Sequence, residues 1–180
     1  VVVSQFLGAR EQKEADASSG QLLLLSGVFG LLVGAFCFVF ARPMIRLFYG
    51  AIDADVLEAG VLYLRITAVS YPFLAMYNAG AALFRSMGNS KISMQISILM
   101  NVINIVGNAI LIYGFQMAAA GAATASLVSR AVGAIIITVL LLNPRRIIFY
   151  DKLHKPEIHL SMLKSILQIL SLIHISEPTR

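Results

Sequence analysis

The sequence contains no tryptophan, one cysteine and three histidines in 180 residues. With Cys37 as the only cysteine, a disulfide-stabilised scaffold is excluded. Charged residues are also scarce, at 13% of the chain against the roughly 25% that is typical of soluble domains. Intrinsically disordered chains combine low hydrophobicity with high net charge, so this composition excludes that class as well.

Apolar residues, by contrast, make up 58% of the chain, and the mean hydropathy is +0.82. A soluble globule of this length has too large a surface for its volume to bury so many apolar side chains. The composition therefore predicts an integral membrane protein. The net charge of +5 would also fit a nucleic-acid-binding protein, so the positions of the basic residues have to decide between the two classes.

Four stretches of the sequence are apolar over the length of about 20 residues that a membrane-spanning helix needs. The region 92–129 has no charge and is too long for one span, and residues 113–116 provide a break. The predicted fold class is an all-α transmembrane helix bundle. We expect spans at about 17–41, 56–84, 92–113 and 117–142, a connector at 143–159 and the start of a further span at 160–169.

The basic residues fall in alternate loops. If successive loops lie on opposite sides of the membrane, one side receives Arg10, Lys13, Arg85, Lys91, Arg145, Arg146, Lys152 and Lys155, and the other Arg42 and Arg46. The positive-inside rule then places the loops 8–16, 85–91 and 143–159 in the cytoplasm. No loop interleaves aromatic and basic residues in the way that nucleic-acid binding requires, so the expected partner is the lipid bilayer.

The second span carries polar residues at helical spacing around a proline. Tyr63, Thr67, Tyr71 and Asn78 follow spacings of four, four and seven, which predicts one helical face. Pro72 lacks a backbone N–H, so it kinks the helix and frees carbonyl groups. Two interpretations are open: the face lines a cavity, as a transport pathway does, or its polar groups pair with neighbouring helices.

The third span has the most polar stripe, formed by Ser93, Ser97, Asn101, Asn104 and Asn108. An asparagine side chain in hydrocarbon is costly unless its amide is satisfied. Three asparagines on one stripe therefore predict a wet cavity, a bound ion or a polar partner helix. Amide and hydroxyl oxygens are ligands that suit a hard cation such as sodium, and the stripe favours a pathway or cation site over contacts between helices alone.

The fourth span combines small residues with a charge near the middle of the membrane. One row consists of Gly121, Ala125, Ser129 and Gly133, and it predicts close approach of another helix. Gly30 and Gly34 of the first span form a similar pair, which is also explained by the general enrichment of glycine in membrane helices. Arg130 lies too far from either membrane surface to reach it comfortably, so its partner is a missing segment, a set of carbonyls or a substrate.

Groups for acid–base or nucleophilic catalysis are missing from the spans. No Asp or Glu lies deep in a span, and His154, His159 and His174 lie outside them. The sequence has no nucleophile–base pair, no metal-ligand cluster and no phosphate-binding glycine loop. We therefore expect neither an enzyme nor a bound organic cofactor.

Several segments resemble one family, the multidrug and toxic compound extrusion (MATE) transporters. The segment VVVSQFLGAR resembles the end of its second helix, and YLRITAVSYPFLAMYNAGAALFRSMGNSK its fourth helix. MNVINIVGNAILIYGF and GAATASLVSR resemble its fifth helix and the start of its sixth. The resemblance implies a transporter of twelve helices in two pseudo-symmetric lobes, of which this chain contains most of the amino-terminal lobe and lacks the carboxy-terminal lobe.

The resemblance also implies an activity and a set of site residues. Some members have a cation or proton site that uses an acid on helix one, an Asn and an Asp on helix five, and a hydroxyl on helix six. These positions match Asn104, Asn108 and Ser126, with Asn108 in place of the acid. The implied function is a sodium- or proton-coupled antiporter that exports drugs and other, often cationic, organic compounds across the plasma or inner membrane. The alternatives are a flippase for lipid-linked precursors and, with less support, a channel or structural subunit.

The candidate pathway residues are thus Tyr71, Asn78, Asn101, Asn104, Asn108, Ser126 and Arg130, with Pro72 as the helix kink. Both ends of the chain are expected to be artificial. The chain begins within a hydrophobic run, and the segment LSLIHISEPTR at 170–180 resembles a translated adaptor sequence. We therefore expect residues 1–142 to be a lobe fragment of a longer protein.

Overall fold

The computed structural model describes residues 12–142, with side chains described from residue 19. This range is helical throughout, apart from short connections, and contains no strand, which confirms the all-α class. The helices are α1 (Gln12–Val39), α2 (Ala41–Tyr49), α3 (Ala54–Val69), α4 (Tyr71–Ser86), α5 (Ser90–Asn108), a π-helical extension of α5 (Ala109–Gly114) and α6 (Ala118–Leu141). The predicted connector, the start of the further span and the adaptor-like tail lie outside the described residues.

Three helical segments are long and apolar enough to cross a membrane, namely Ser19–Val39, Ser90–Gly114 and Ala118–Leu141. A fourth candidate is the pair α3 and α4, which meet at a bend of 43°. Residues 12–142 therefore contain up to four segments that are long and apolar enough to cross a membrane. Their apolar side chains are extensively exposed on the surface of the bundle, as expected for residues that face lipid or further helices.

The second predicted span, 56–84, corresponds to α3 and α4, and the bend expected from Pro72 divides it at Ser70. Pro72 has no N–H to donate to the carbonyl of Ala68, and its ring prevents a regular helix at this point. The backbone N–H of Ser70 bonds instead to the Thr67 carbonyl at 2.9 Å, and the Ser70 hydroxyl donates to the same carbonyl at 2.6 Å. Ser70, two residues before Pro72, therefore supplies the hydrogen bonds that end α3 at the predicted kink.

Helix α2 is not among the predicted elements, because the spans expected at 17–41 and 56–84 leave residues 42–55 as a loop. Its Ala41 packs with Leu57 and Val61 of α3, and Ile45 lies 3.1 Å from the position that a Cβ at Gly60 would occupy. Apolar residues at positions 41, 44, 45 and 48 have the helical spacing that would have revealed this element. An ion pair joins Arg42 to Glu58 across the two helices, and both side chains are exposed.

Helix α6 is the centre of the described bundle, because it packs against α3, α4 and α5. Helix α1 lies on the other side of the broken span and contacts both of its halves. The largest buried cluster joins α4, α5 and α6 around Leu83, Phe84 and Ile137. This arrangement places the polar residues of α6 between the polar stripe of α5 and the bend at Ser70.

The glycines of α1 lie directly against the bend. A Cβ at Gly30 would lie 2.8 Å from the Cβ of Ala75 and 3.0 Å from the Cα of Pro72. A Cβ at Gly34 would lie 2.6 Å from the carbonyl oxygen of Ala68, which is the group that Pro72 leaves without its usual helical partner. These distances favour close packing as the reason for the glycine pair.

Candidate functional site

Small side chains allow α5 and α6 to approach closely at their polar residues. The row predicted on α6 is buried in full, at Gly121, Ala125, Ser129 and Gly133. A Cβ at Gly107 of α5 would lie 3.1 Å from the Cβ of Ala125. A Cβ at Gly133 would collide with the side chain of Met100. The close contact of the two backbones is what brings the short side chains of the site within hydrogen-bonding distance.

Three of the candidate residues form one hydrogen-bonded group. The Asn104 Nδ2 atom donates to the Ser126 hydroxyl at 3.0 Å, which joins α5 to α6. The Asn108 Nδ2 atom donates to the Asn104 Oδ1 atom at 3.1 Å, one turn along α5. All three side chains are partly buried. The structure therefore brings together the three residues that the family resemblance implied, and we call them the amide–hydroxyl group.

One oxygen of this group has no hydrogen-bond partner. Asn108 Oδ1 is buried, and no donor reaches it. A buried acceptor without a partner costs about 1–3 kcal/mol, so a native structure usually satisfies it with water or an ion. The group offers oxygen atoms from two amides and a hydroxyl, which are the ligand types that hard cations prefer. Its residues are thus suited to hold a sodium ion and contain no carboxyl that could exchange a proton.

The rest of the α5 stripe lies apart from this group. Asn101 is exposed. Ser93 is buried, but its hydroxyl donates to the carbonyl of Ser90 at 2.9 Å, and its own carbonyl accepts a hydrogen bond from the Tyr77 hydroxyl at 3.2 Å. The Tyr77 hydrogen bond joins the middle of α4 to the first turn of α5. The polar stripe therefore divides into a structural part at Ser93 and the amide–hydroxyl group at the other end.

A second set of polar residues lies at Arg130 and at the bend that it contacts. Its guanidinium donates from one terminal nitrogen to the Ser70 hydroxyl at 2.6 Å, which joins the middle of α6 to the bend between α3 and α4. Ser70 is completely buried. A hydroxyl from a neighbouring span was not among the expected partners of Arg130, and Ser70 was not among the candidate residues. A serine close to a mid-span proline, at the depth of a mid-span arginine, was the signal that would have found it.

Two further hydroxyls lie in or beside the turn that contains Ser70. Thr67 Oγ1 is buried without a hydrogen-bond partner. The Tyr71 hydroxyl lies within electrostatic range of Arg130, Tyr63 and Cys37. We call Arg130, Ser70, Thr67 and Tyr71 the arginine–hydroxyl group. Ser126 and Arg130 are one turn apart on α6, so this helix carries one residue of each polar group.

The residues predicted to share one helical face are divided between two helices, with Tyr63 and Thr67 in α3 and Tyr71 and Asn78 in α4. Asn78 is exposed on α4 and belongs to neither polar group. Arg65, the other arginine within a span, is exposed, and its guanidinium carbon lies 5.5 Å from the centre of the Phe38 ring, in a cation–π contact. It is therefore separate from the arginine–hydroxyl group.

Within residues 12–142, no group of three His, Cys, Asp or Glu side chains is placed to hold a metal ion. Asp and Glu are absent from the sequence between residues 59 and 142, which includes the bend and all of α5 and α6. The described bundle thus presents neutral oxygen atoms at one polar group and an arginine without a carboxylate at the other. Groups of this chemistry are suited to contacts with ions or polar molecules.

Comparison with known proteins agrees with this structure. The sequence model of the family described as MatE matches residues 1–110. The chain is 30% identical over 149 residues to the uncharacterized transporter YisQ of Bacillus subtilis, and 27% identical over 146 residues to the multidrug export protein MepA of Staphylococcus saprophyticus. Each alignment covers 81% of this chain and 32% of the relative, so the chain spans about a third of the length of these proteins.

The fold is shared with solved structures. A crystal structure of a MATE protein in a bent conformation superposes with a TM-score of 0.83 at 25% identity, and the match covers 93% of this chain and 37% of that one. The extent of this match shows that the helices of this chain are arranged as in one part of a MATE protein. The family match covers more than half of the chain, and the chain therefore belongs to the MatE family of membrane transporters.

Proposed function

We propose that the full-length protein is a secondary active, cation-coupled antiporter that exports organic compounds, drugs among them, across the cell membrane. The observation that carries the proposal is the amide–hydroxyl group of Asn104, Asn108 and Ser126, with its buried unpartnered oxygen, in a membrane protein of this family. The similarity to MepA, a multidrug export protein, supports drugs as cargo. The loops 8–16, 85–91 and 143–159 are proposed to be cytoplasmic.

Sodium is the coupling ion that the described residues support best. The side chains of Asn and Ser do not ionise in the physiological pH range, so the amide–hydroxyl group itself offers a binding site for a metal cation. A carboxylate from another part of the full-length protein would be needed for this site to bind a proton. A bound sodium ion would satisfy Asn108 Oδ1 and connect α5 to α6.

Coupling requires that the ion and the cargo favour different states of the protein. An ion held jointly by Asn108, Asn104 and Ser126 stabilises the arrangement in which α5 and α6 are close together. Cargo that prefers another arrangement is then released or bound as the ion leaves. The carboxy-terminal lobe that the family resemblance implies is the proposed partner in this alternation.

The flippase alternative is favoured by one observation. Arg130 lies near the middle of the membrane, and a guanidinium is well suited to bind the phosphate of a lipid-linked precursor. The amide–hydroxyl group is not explained by that activity, however, because moving a lipid headgroup across the membrane does not in itself require a cation site. The antiporter accounts for this group and remains the leading proposal.

The proposal predicts gradient-driven efflux by the full-length protein in proteoliposomes. We expect ethidium to be transported when an inward sodium gradient is imposed at equal pH on both sides, and transport to stop when the gradient is collapsed with a sodium ionophore. Ser126→Ala should slow this transport about tenfold, because the hydroxyl is one of the proposed ion ligands and charge-assisted contacts contribute roughly 1.5–3 kcal/mol.

Thr124→Val is the matched control for Ser126→Ala. It also removes one hydroxyl from α6, but the Thr124 hydroxyl donates to the Ala120 carbonyl at 2.8 Å on the same helix. We expect this variant to transport at the rate of the unchanged protein. Efflux that proceeds at the same rate without a sodium or a proton gradient would refute the antiporter proposal. Equal efflux rates for Ser126→Ala and Thr124→Val would show that the Ser126 hydroxyl is not an ion ligand.

A further inference from the structure

The positive charge of Arg130 is not compensated within the described bundle. Its hydrogen-bond partner is the neutral hydroxyl of Ser70, and the sequence has no Asp or Glu between residues 59 and 142. The acidic residues Asp53, Asp55 and Glu58 lie at the start of α3, and Glu58 already pairs with Arg42. A guanidinium that is partly buried in the membrane without an opposite charge is costly.

The hydrogen bonds around Ser70 leave N–H groups of Arg130 and the Thr67 hydroxyl available as donors, and they include no charged acceptor. The Ser70 oxygen accepts from Arg130, and its proton is donated to the Thr67 carbonyl at 2.6 Å. The one proton of the Ser70 hydroxyl is therefore already donated, and Ser70 serves to orient the guanidinium. The other N–H groups of Arg130 and the buried hydroxyl of Thr67, for which no partner is present, remain as donors. The Tyr71 hydroxyl adds another donor within electrostatic range of Arg130.

We propose that the arginine–hydroxyl group binds an oxyanion, a carboxylate or a phosphate, carried by the transported molecule. This inference rests on the proposed function as a transporter and adds the chemical class of one part of its cargo. A planar guanidinium donates two parallel hydrogen bonds to such a group, which is the geometry that lysine does not offer. Ser70 holds Arg130 in place, while Thr67 and Tyr71 are the additional donors.

The position of the group at a helix bend gives it access to both halves of the broken span. Arg130 is in α6, whereas Ser70, Thr67 and Tyr71 belong to the junction of α3 and α4. An oxyanion bound here would connect three helices at a point where α1 packs closely through Gly30 and Gly34. Cargo with a carboxylate would consequently contact the junction on which the shape of the broken span depends.

The test uses the full-length protein in phosphatidylcholine vesicles and equilibrium binding of radiolabelled 1-naphthoate, with its uncharged amide as comparison. We expect naphthoate to bind at least about tenfold more tightly than the amide, since hydrogen bonds to charged groups contribute about 1.5–3 kcal/mol. Arg130→Gln should remove this difference and leave amide binding unchanged. Arg65→Gln is the matched control, because it removes an arginine from a span outside the arginine–hydroxyl group, and it should bind both compounds as the unchanged protein does.

Two further variants keep the proposal testable if Arg130→Gln does not fold. Arg130→Lys retains the charge without the paired donors, and Thr67→Val removes one donor without changing size, so each should weaken naphthoate binding by a smaller factor. Equal binding of naphthoate and its amide to the unchanged protein would overturn the proposal. Naphthoate binding that is the same in Arg130→Gln, or in both Arg130→Lys and Thr67→Val, would also overturn it.

A lipid phosphate is the other possible source of the oxyanion. If phosphatidic acid in the vesicles weakens naphthoate binding to the unchanged protein, the group also accepts lipid phosphate, whereas no effect identifies the cargo as the source. Sodium-driven ethidium efflux is measured in the same vesicles. Efflux without preference for naphthoate contradicts the oxyanion site alone, and naphthoate binding without gradient-driven efflux contradicts the antiporter alone.

Discussion

Gly34→Ala is expected to lower the thermal unfolding midpoint of the full-length protein markedly and to reduce the yield of monodisperse protein. The added Cβ would lie 2.6 Å from the carbonyl oxygen of Ala68, and it would approach the backbone of the bend where no flexible side chain can move away. Overpacking of this kind costs roughly 1–3 kcal/mol, and the higher value applies to a contact with backbone. The measurement is thermal unfolding of the purified protein in detergent.

Gly27→Ala provides the matched control on the same helix. Its Cβ would lie 3.7 Å from Met76 Cγ, an ordinary contact, and alanine is favoured over glycine in a helix by up to about 1 kcal/mol. We therefore expect an unchanged or slightly higher midpoint. If Gly34→Ala were as stable as Gly27→Ala, the packing of α1 against the bend would not be as described.

Asn108→Asp is expected to raise the sodium affinity of the full-length protein by at least about tenfold. The substitution preserves the shape of the side chain and replaces the unpartnered amide oxygen with a charged one. Opposite charges at 4 Å attract by about 4 kcal/mol at an effective dielectric constant of 20, part of which is lost to desolvation. The change in affinity is measured as the half-saturating sodium concentration for ethidium efflux at roughly physiological pH, about 7.5.

The same variant should acquire a pH dependence that the unchanged site lacks. A carboxyl binds a proton in competition with sodium, so lowering the pH should weaken sodium binding in Asn108→Asp more than in the unchanged protein. Asn101→Asp is the control, since Asn101 is exposed and lies two turns away, roughly 10 Å along α5. Equal sodium affinities in Asn108→Asp and the unchanged protein would show that Asn108 is not at a cation site.

The helical membrane class could be predicted from composition because a bilayer admits few structures. A long apolar stretch with little charge crosses the bilayer as a helix, because a helix satisfies its backbone N–H and C=O groups within the same segment. The bend in the second span was likewise predictable from Pro72, whose missing N–H is a local property. The role of Ser70 at this bend was not predictable, because the sequence does not show that Arg130 of another helix lies next to Ser70.

The amide–hydroxyl group was predictable in part. The spacing of Asn104 and Asn108 places them one turn apart on any helix, and the family resemblance paired them with Ser126. The distance across α5 and α6 depends on the packing of the small residues at Gly107 and Ala125, which is a tertiary contact. Spacing alone also placed Asn101 on the same stripe, although the structure leaves it exposed and outside the group.

Helix α2 shows the opposite case, in which the pattern was present but overlooked. Arg42 and Arg46 follow the first predicted span directly, so the sequence predicts a loop at residues 42–55. The apolar side chains at helical spacing, beginning with the buried Ala41, indicate a short amphipathic helix that packs on α3. Charge content alone does not distinguish a loop from a short helix that lies outside the long apolar segments.

Direct binding of ²²Na⁺ to the full-length protein tests the central claim, which is that Asn104, Asn108 and Ser126 hold the coupling ion. At constant pH, with choline replacing sodium, the unchanged protein is predicted to bind ²²Na⁺ saturably, and Asn104→Ala, with its folded state verified by thermal unfolding, to lose this binding. Saturable binding that is equal in the two proteins, or no saturable binding in the unchanged protein, would contradict the account.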